Sequence, residues 1–509
     1  MKKRRTSGNS ILRIVFVGIS LFLQVGWLLL LIIRLNRYST YISLFTGILA
    51  LLAVLRLYSQ QTNSAIKMPW IMLILVFPVM GLSLYLLVEL GSILPVPRKR
   101  LAQVRQRLIL PQDCSAGTRL QQEDPLISNQ FQYLMTHGQY PVCDGTAAEY
   151  YAEAADAFEA LKEAIQGAKS FIFMEYFIID DGEAFQQLHA LLRQKAAEGI
   201  EVRLMYDDFG SIGYLNLRYA QKLRQDGICC QVFNPALPVL NLFMNHRDHR
   251  KITVIDGKIG FTGGYNLADE YFGISKPYGH WKDTGLRLEG PAVRNLAAQF
   301  LELWNLSAGE DSDPTPYLKP VDPISGAAGF ILPFGDNPLG RERLAENVYL
   351  NLISQARTSI FFMTPYLIIT DELCRALGLA AKRGVDVRII TPGIPDKRII
   401  YSVTRSYYHA LAVQGVRIFE YSPGFCHAKM CICDGRTATV GTSNLDYRSL
   451  YLHFENNVLL HNCNAVTQIA ADFDATFPKC REVTEQYGAG RSAILRMGQC
   501  ILRLFAPLL

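Results

Sequence analysis

Two duplicated α/β lobes behind an N-terminal helical membrane anchor are expected for this chain, each lobe a mixed sheet flanked by helices and the pair related by a pseudo-twofold axis. Three observations lead there. Strand-like and helix-like blocks recur in the same order in two halves of the sequence, a pair of polar motifs recurs with them, and the first hundred residues carry long uncharged apolar runs. At 509 residues the chain also exceeds what one core usually organises.

The anchor comes first, over residues 1–100. Residues 14–33 and 68–88 are apolar and long enough to cross a bilayer. A shorter run, 41–55, is expected to be peripheral or re-entrant. No small-residue cleavage site follows the first run, so it reads as an anchor and not a removed signal. Basic residues flank the region on both sides, as KKRR at the start and as Arg98, Lys99, Arg100, Arg105 and Arg107 at the end. The positive-inside rule then predicts a multi-pass cell-membrane protein with its following lobes cytoplasmic and affinity for an anionic membrane surface.

The first lobe is expected over 110–308 and the second over 324–485. AKSFIFMEYFII (168–179) matches RTSIFFMTPYLII (357–369), EGIEVRLM (198–205) matches RGVDVRII (383–390), and DGICCQVF (226–233) matches QGVRIFEY (414–421). The segment GEDSDPTPYLKPVDP, 309–323, reads as the linker. Residues 486–509 form a basic and apolar tail that either lies on the membrane or docks on the lobes. Half the residues are hydrophobic, and the net charge of +6 is modest for this length, so no nucleic-acid partner is expected. Eleven cysteines without CxxC pairs read as reduced thiols, and Cys426, Cys431 and Cys433 as small buried hydrophobes.

The fourth matched block carries the chemistry. HRKITVIDGKIGFTGGYN (249–266) and HAKMCICDGRTATVGTSN (427–444) set His, Lys, Asp and Asn at the same spacings. On a strand, positions i and i+2 share a face, so His249 and Lys251 point together, as do His427 and Lys429. Two facing lobes would supply two imidazoles and two ammonium groups. One imidazole can attack a phosphodiester and the other donate to the departing oxygen, while the lysines offset phosphoryl charge. No metal or other cofactor is required by that scheme. Asp256-Gly257 and Asp434-Gly435 read as hairpin turns. Asn266 and Asn444 end the return strands as loop caps or phosphate contacts. Asp283 and Glu455, 34 and 28 positions after the histidine of their own half, are candidates to hold a histidine's second nitrogen, or else are solvated edge carboxylates.

The doubled HxKxxxxD motif with its Gly-rich turn and Asn resembles the phospholipase D superfamily, and within it the bacterial cardiolipin synthases. The stretches HRDHRKITVIDGKIGFTGGYNLADEY, HWKDTGLRLEGPAV, GFCHAK and GTSNLDYRS carry the likeness. The resemblance implies two phospholipase D-like lobes and a catalytic set of His249, Lys251, Asp256, His427, Lys429 and Asp434. It also implies metal-independent transfer of a phosphatidyl group between two phosphatidylglycerol molecules through a phosphohistidine, giving cardiolipin and glycerol. By the same analogy His249 is the nucleophile and His427 the acid and then the base, although the near-symmetry of the motifs leaves the order open. His453 departs from the asparagine usual in such synthases. A hydrolytic phospholipase D, another donor or acceptor, or a non-catalytic membrane scaffold are the alternatives.

One further expectation comes from comparing the halves. The span from Phe233 to His249 is twice that from Phe419 to His427, and the extra residues lie in apolar PALPVLNLFMN, 235–245. That loop is expected either to dip into the bilayer or to plug the space between the lobes.

Overall fold

The computed structural model describes residues 40–488, except 61, 94, 95, 113, 217, 236–244 and 310, together with scattered positions toward both ends. The first lobe carries strands β1 (Ala147–Tyr151), β2 (Phe171–Tyr176), β3 (Glu201–Asp207), β4 (Cys229–Phe233), β5 (Arg247–Asp248), β6 (Lys251–Ile255), β7 (Ile259–Gly263), β8 (His280–Lys282) and β9 (Gly285–Glu289). Seven of these form one sheet in the order β1-β9-β7-β6-β2-β3-β4. The second lobe has β10 (Phe330–Asp336), β11 (Ser359–Met363), β12 (Leu367–Ile368), β13 (Asp386–Pro392), β14 (Arg417–Tyr421) and β15 (Gly424–Cys426). It continues with β16 (Met430–Cys433), β17 (Thr437–Gly441), β18 (Leu445–Asp446), β19 (His453–His461) and β20 (Cys480–Glu482). Its sheet runs β10-β19-β17-β16-β11-β13-β14-β20. Its first seven strands repeat the order of the first sheet and β20 adds an eighth at the edge, so the duplication seen in the sequence is a duplication of topology.

In each main sheet three strands run parallel, β2/β3/β4 and β11/β13/β14, and the remaining neighbours in the two orders just given pair antiparallel. Parallel strands need crossovers. Helices Glu183–Ala197 and Tyr219–Gln225 supply them in the first lobe, and Asp371–Lys382 and Arg398–Ala412 in the second. All six residues of β2 are buried, which explains its unbroken apolar reading.

Alternation along the strands then divides the core. Phe173, Ile252 and Val254 from the first sheet share one hydrophobic cluster with Ile390, Met430, Ile432 and Val458 from the second. Their neighbours Ile172 and Met174 face an outer cluster of the first lobe, and Ile389, Cys431 and Cys433 an outer cluster of the second. The two sheets therefore pack through one common interior, completed by helices Val293–Ala308 and Asn464–Thr476. Cys431 and Cys433 are free thiols packed as core hydrophobes.

Several expectations need correcting. Helices Cys114–Glu123 and Pro125–Tyr133 were assigned to the first lobe, but Leu120, Ile127 and Phe131 pack with Leu332, Val348 and Leu352 of the second. Cys143 also bridges to Ile331. An apolar helix face follows the partner surface that buries it, and proximity along the chain does not choose that surface. The apolar stretch 68–88 is not one helix. It is split at Phe77 (φ −128°, ψ 75°) between helices Ser64–Val76 and Pro78–Ile93, since a proline drives the residue before it out of the helical region. The stretch expected to be short is instead part of a 20-residue helix, Thr40–Ser59. Among the described residues no helix is long and apolar enough to cross a membrane. Most of 14–33, residues 236–244 of the extra loop and most of the tail lie outside the described residues. Of the tail, Ala506 is buried in the second lobe's outer core and Leu502 packs against it.

The Asp-Gly pairs are turns between β6 and β7 and between β16 and β17. Asp256 and Gly257 have φ of 54° and 69°, and Asp434 and Gly435 of 51° and 66°, the left-handed pair such two-residue hairpins need. Each carboxylate also accepts backbone N–H groups from the start of the neighbouring parallel strand. Asp256 takes those of Lys169, Ser170 and Phe171, and Asp434 those of Arg357, Thr358 and Ser359. Seven residues of extended chain, roughly 20 Å, separate them from the motif histidines. Their placement in the catalytic set is thereby overturned: they fix strand register.

Burial works against the Asp434 carboxylate, but the donors win and hold it below the usual carboxylate range. Its stabilising contribution should be present at neutral pH and disappear as acid carries the pH down through that lowered value. Asp434→Ala should cost about 1–3 kcal/mol by orphaning those donors. A lowered melting temperature with an unchanged rate per folded molecule is the expected result, read by thermal unfolding beside a lipid assay.

Candidate active site

The two motif histidines sit where each lobe adds a short parallel strand to the other. Strand β5 pairs with the start of β19, Arg247 opposite His453 and Asp248 opposite Phe454, and the His249 N–H donates to the Phe454 carbonyl at 2.9 Å. Strand β15 pairs with β8, Gly424 opposite His280 and Cys426 opposite Lys282, and the His427 N–H donates to the Lys282 carbonyl at 2.7 Å. A Cβ on Gly424 would stand 2.2 Å from the His280 carbonyl oxygen, so this crossing requires glycine.

The crossing exchanges the carboxylates. Glu455 lies 2.9 Å from Nδ1 of His249, and Asp283 lies 2.6 Å from Nδ1 of His427. Each carboxylate thus holds the histidine of the opposite half and not the one that precedes it in its own. Both carboxylates are fully buried. The Gly-Gly of the first motif serves the same contact, because a Cβ on Gly264 would stand 2.1 Å from Oδ1 of Asp283.

Lys251 and Lys429 are also buried, as the two-residue spacing predicts. Each ammonium turns back on its own motif. Lys251 donates to the His249 carbonyl at 2.6 Å, and Lys429 to that of His427. The asparagines differ. Asn444 lines the cavity shared by the histidines, and among the described residues its side-chain oxygen has no hydrogen-bond partner. Asn266 accepts from the Ile178 N–H at 3.1 Å and donates to the Tyr271 hydroxyl at 2.8 Å. Its amide is committed to the fold, so phosphate contact is not the place the structure gives it.

His249 and His427 line one cavity of 440 Å³. Burial, then the Lys251 ammonium, pushes His249 well below an ordinary imidazole. Burial, then Lys429, lowers His427 to about 4, with Asp283 opposing. Lys251 falls to about 7 and Lys429 to about 8, in both cases through burial first, with Glu455 opposing it at Lys251 and Asp283 at Lys429. A neutral imidazole pair beside two ammonium groups able to shed protons is suited to bind and transfer an anionic phosphoryl group.

Other residues at the site carried no usable sequence signal. Phe177 stands edge-on to His249 with ring centres 5.0 Å apart, and Tyr271 and Trp281 flank His427 at 5.3 and 5.5 Å. Asn456 accepts from the Lys251 N–H at 3.1 Å and donates to Thr262 at 2.6 Å, fastening one lobe to the other. Arg247 and Arg448 line the same cavity. The aromatic residues of FMEYF and HWKD are visible in the sequence, but nothing there distinguishes a cavity wall from a core.

A family model described as cardiolipin synthase, phospholipase D-like domain, matches residues 161–304 and 349–477, and one described as phospholipase D-nuclease N-terminal matches 48–89. The chain is 34% identical over 465 residues to a cardiolipin synthase of Halalkalibacterium halodurans, covering 89% of this chain and 91% of that one. It is 33% identical to a cardiolipin synthase of Oceanobacillus iheyensis, covering 90% and 96%. An uncharacterised protein of Streptococcus mutans is 38% identical, covering 90% and 99%. Among solved structures, a phosphatidylserine synthase of Haemophilus influenzae shares the fold at a TM-score of 0.55 and 15% identity, covering 74% of this chain and 97% of that one. The doubled lobe, the crossed histidines and these relatives agree: the chain belongs to the cardiolipin synthase family of phospholipase D-like proteins.

Proposed function

We propose that the protein makes cardiolipin and glycerol from two phosphatidylglycerol molecules, through a phosphohistidine and without a metal ion. The observation that carries this reading is the single cavity lined by both histidines, each held at Nδ1 by a buried carboxylate. A carboxylate accepting Nδ1–H leaves the Nε2 lone pair free. Nε2 of His249 attacks the phosphorus of the first lipid, the bond to its glycerol oxygen breaks, and His427 protonates that oxygen. The terminal hydroxyl of the second lipid then loses its proton to His427 and attacks phosphorus, breaking the P–N bond. A bound phosphodiester anion offsets Lys429 and Lys251, which raises His427 from its value in the free site and lets it carry the proton.

The same reading puts the lobes on the cytoplasmic face of the cell membrane, against anionic lipid and held there by the first hundred residues. Supporting it, Leu44, Phe45, Ile48, Leu51, Leu52 and Leu55 are exposed along one helix, an apolar surface that lipid would cover.

Incubating the purified protein with phosphatidylglycerol vesicles in the presence of chelator tests the assignment by lipid analysis. Cardiolipin with released glycerol is expected; phosphatidic acid alone would mark a hydrolase, and no turnover a scaffold. His249→Asn and His427→Asn should each lower turnover by a factor of at least about 100, the lower range for a lost acid–base or nucleophilic group.

The lysines act as ammonium groups, so lowered values mean their charge is lost as pH rises. kcat/KM should therefore fall between about pH 7 and 8, following Lys251 and then Lys429. A profile flat through that interval would show that neither ammonium is needed.

A further inference from the structure

The cavity holds one imidazole for which this reaction has no use. His453 is 8% exposed, and among the described residues neither of its ring nitrogens has a hydrogen-bond partner. Its place follows from the crossing of β5 and β19, which brings its ring centre to 5.4 Å from that of His249. Nδ1 of His453 lies 3.7 Å from Oε1 of Glu455, and the same oxygen lies 2.9 Å from Nδ1 of His249. One donor atom from each of the three residues lies within 4.8 Å of the other two.

Those separations resemble one face of a tetrahedral site. With metal–ligand bonds of 2.0–2.2 Å, neighbouring ligand atoms stand about 3.4 Å apart, and 2.9 and 3.7 Å bracket that value. Two imidazoles and one carboxylate are a donor set for zinc with its fourth position open, whereas magnesium and calcium favour oxygen alone. Glu455 is also fixed from behind, its Oε2 accepting from Thr442, so that Oε1 faces His453.

We propose that His249, His453 and Glu455 form a binding site for a borderline transition-metal dication, zinc above all, whose occupation reversibly switches the active site off. The switching rests on the function proposed above; the binding does not. The ion would bond to Nδ1 of His249, replacing the proton that Glu455 holds there, and draw electron density from the ring, weakening Nε2 as a nucleophile. Arg247, Arg448 and Lys251 stand near His453 and oppose a cation, which keeps the affinity short of permanent occupation.

The test uses the full chain in detergent micelles, stripped with chelator and exchanged into metal-free buffer. Cobalt(II) is titrated by its visible absorption, and zinc by competition against it. One cobalt per chain with a tetrahedral spectrum is expected. His453→Asn should bind at least about 100-fold more weakly, beyond the 10–100-fold cost of losing an outer partner, and His453→Cys should keep the site. Zinc should slow the wild type, chelator should restore it, and His453→Asn should escape when compared with its own metal-free rate. Absence of a tetrahedral cobalt spectrum, or equal binding by His453→Asn, would overturn the site. Zinc inhibition equal in wild type and His453→Asn would overturn the switch. Metal binding by a protein that makes no cardiolipin would leave the site standing and remove the proposed function instead.

Discussion

Each motif imidazole is held by a carboxylate from the other lobe, and this exchange governs how the rest of the molecule is arranged. Burying a carboxyl group alone is costly, and it becomes tolerable only against a partner at hydrogen-bond distance. Glu455 and Asp283 are both fully buried, so the lobes must meet in the one register that brings them to His249 and His427. The short parallel pairs β5–β19 and β15–β8 set that register through backbone hydrogen bonds. Asn456, bridging Lys251 and Thr262, repeats the fastening beside the site.

The common interior makes the register rigid. Inward residues of both sheets join a single cluster, so sliding one lobe past the other would open apolar surface on both. Hydrophobic burial sets the distance between sheets and is indifferent to direction. The carboxylate–imidazole pairs and crossing strands supply the direction. Neither would place two imidazoles in one cavity without the other.

The fold was legible because repetition doubles every signal. A single apolar run such as FIFMEYF is ambiguous between strand and helix, but its counterpart IFFMTPYL at the equivalent place removes the ambiguity. The paired histidines and lysines were legible for the same reason, and the Asp-Gly turns from local chemistry alone. What could not be read were pairings across the lobes. Spacing along the chain ties Glu455 to His427, while the fold ties it to His249, and no local pattern records a strand that leaves its own sheet. The two helices between 114 and 133 fail for that reason too, since an amphipathic pattern states that a face will be buried and not by what. Asn266 and Asn444 occupy matching positions in matching motifs, yet one is consumed by Ile178 and Tyr271 and the other faces the cavity.

That last difference shows what duplication within one chain permits. Two identical subunits would present identical histidines, and either could take either part. Here the two sides have diverged. Burial lowers both rings first; Lys251 and Lys429 lower His249 further, whereas Asp283 pulls His427 back up by charge and by hydrogen bond. The imidazole more easily protonated is the better acid toward a leaving alcohol, and the one held neutral is the better nucleophile. Under the transfer proposed above, these directions suit His249 to attack and His427 to act as the acid, an order that the near-identical motifs leave undecided. Covalent linkage of the lobes lets such a preference be written once, into the charged surroundings of each ring, while the shared interior keeps both rings on one cavity.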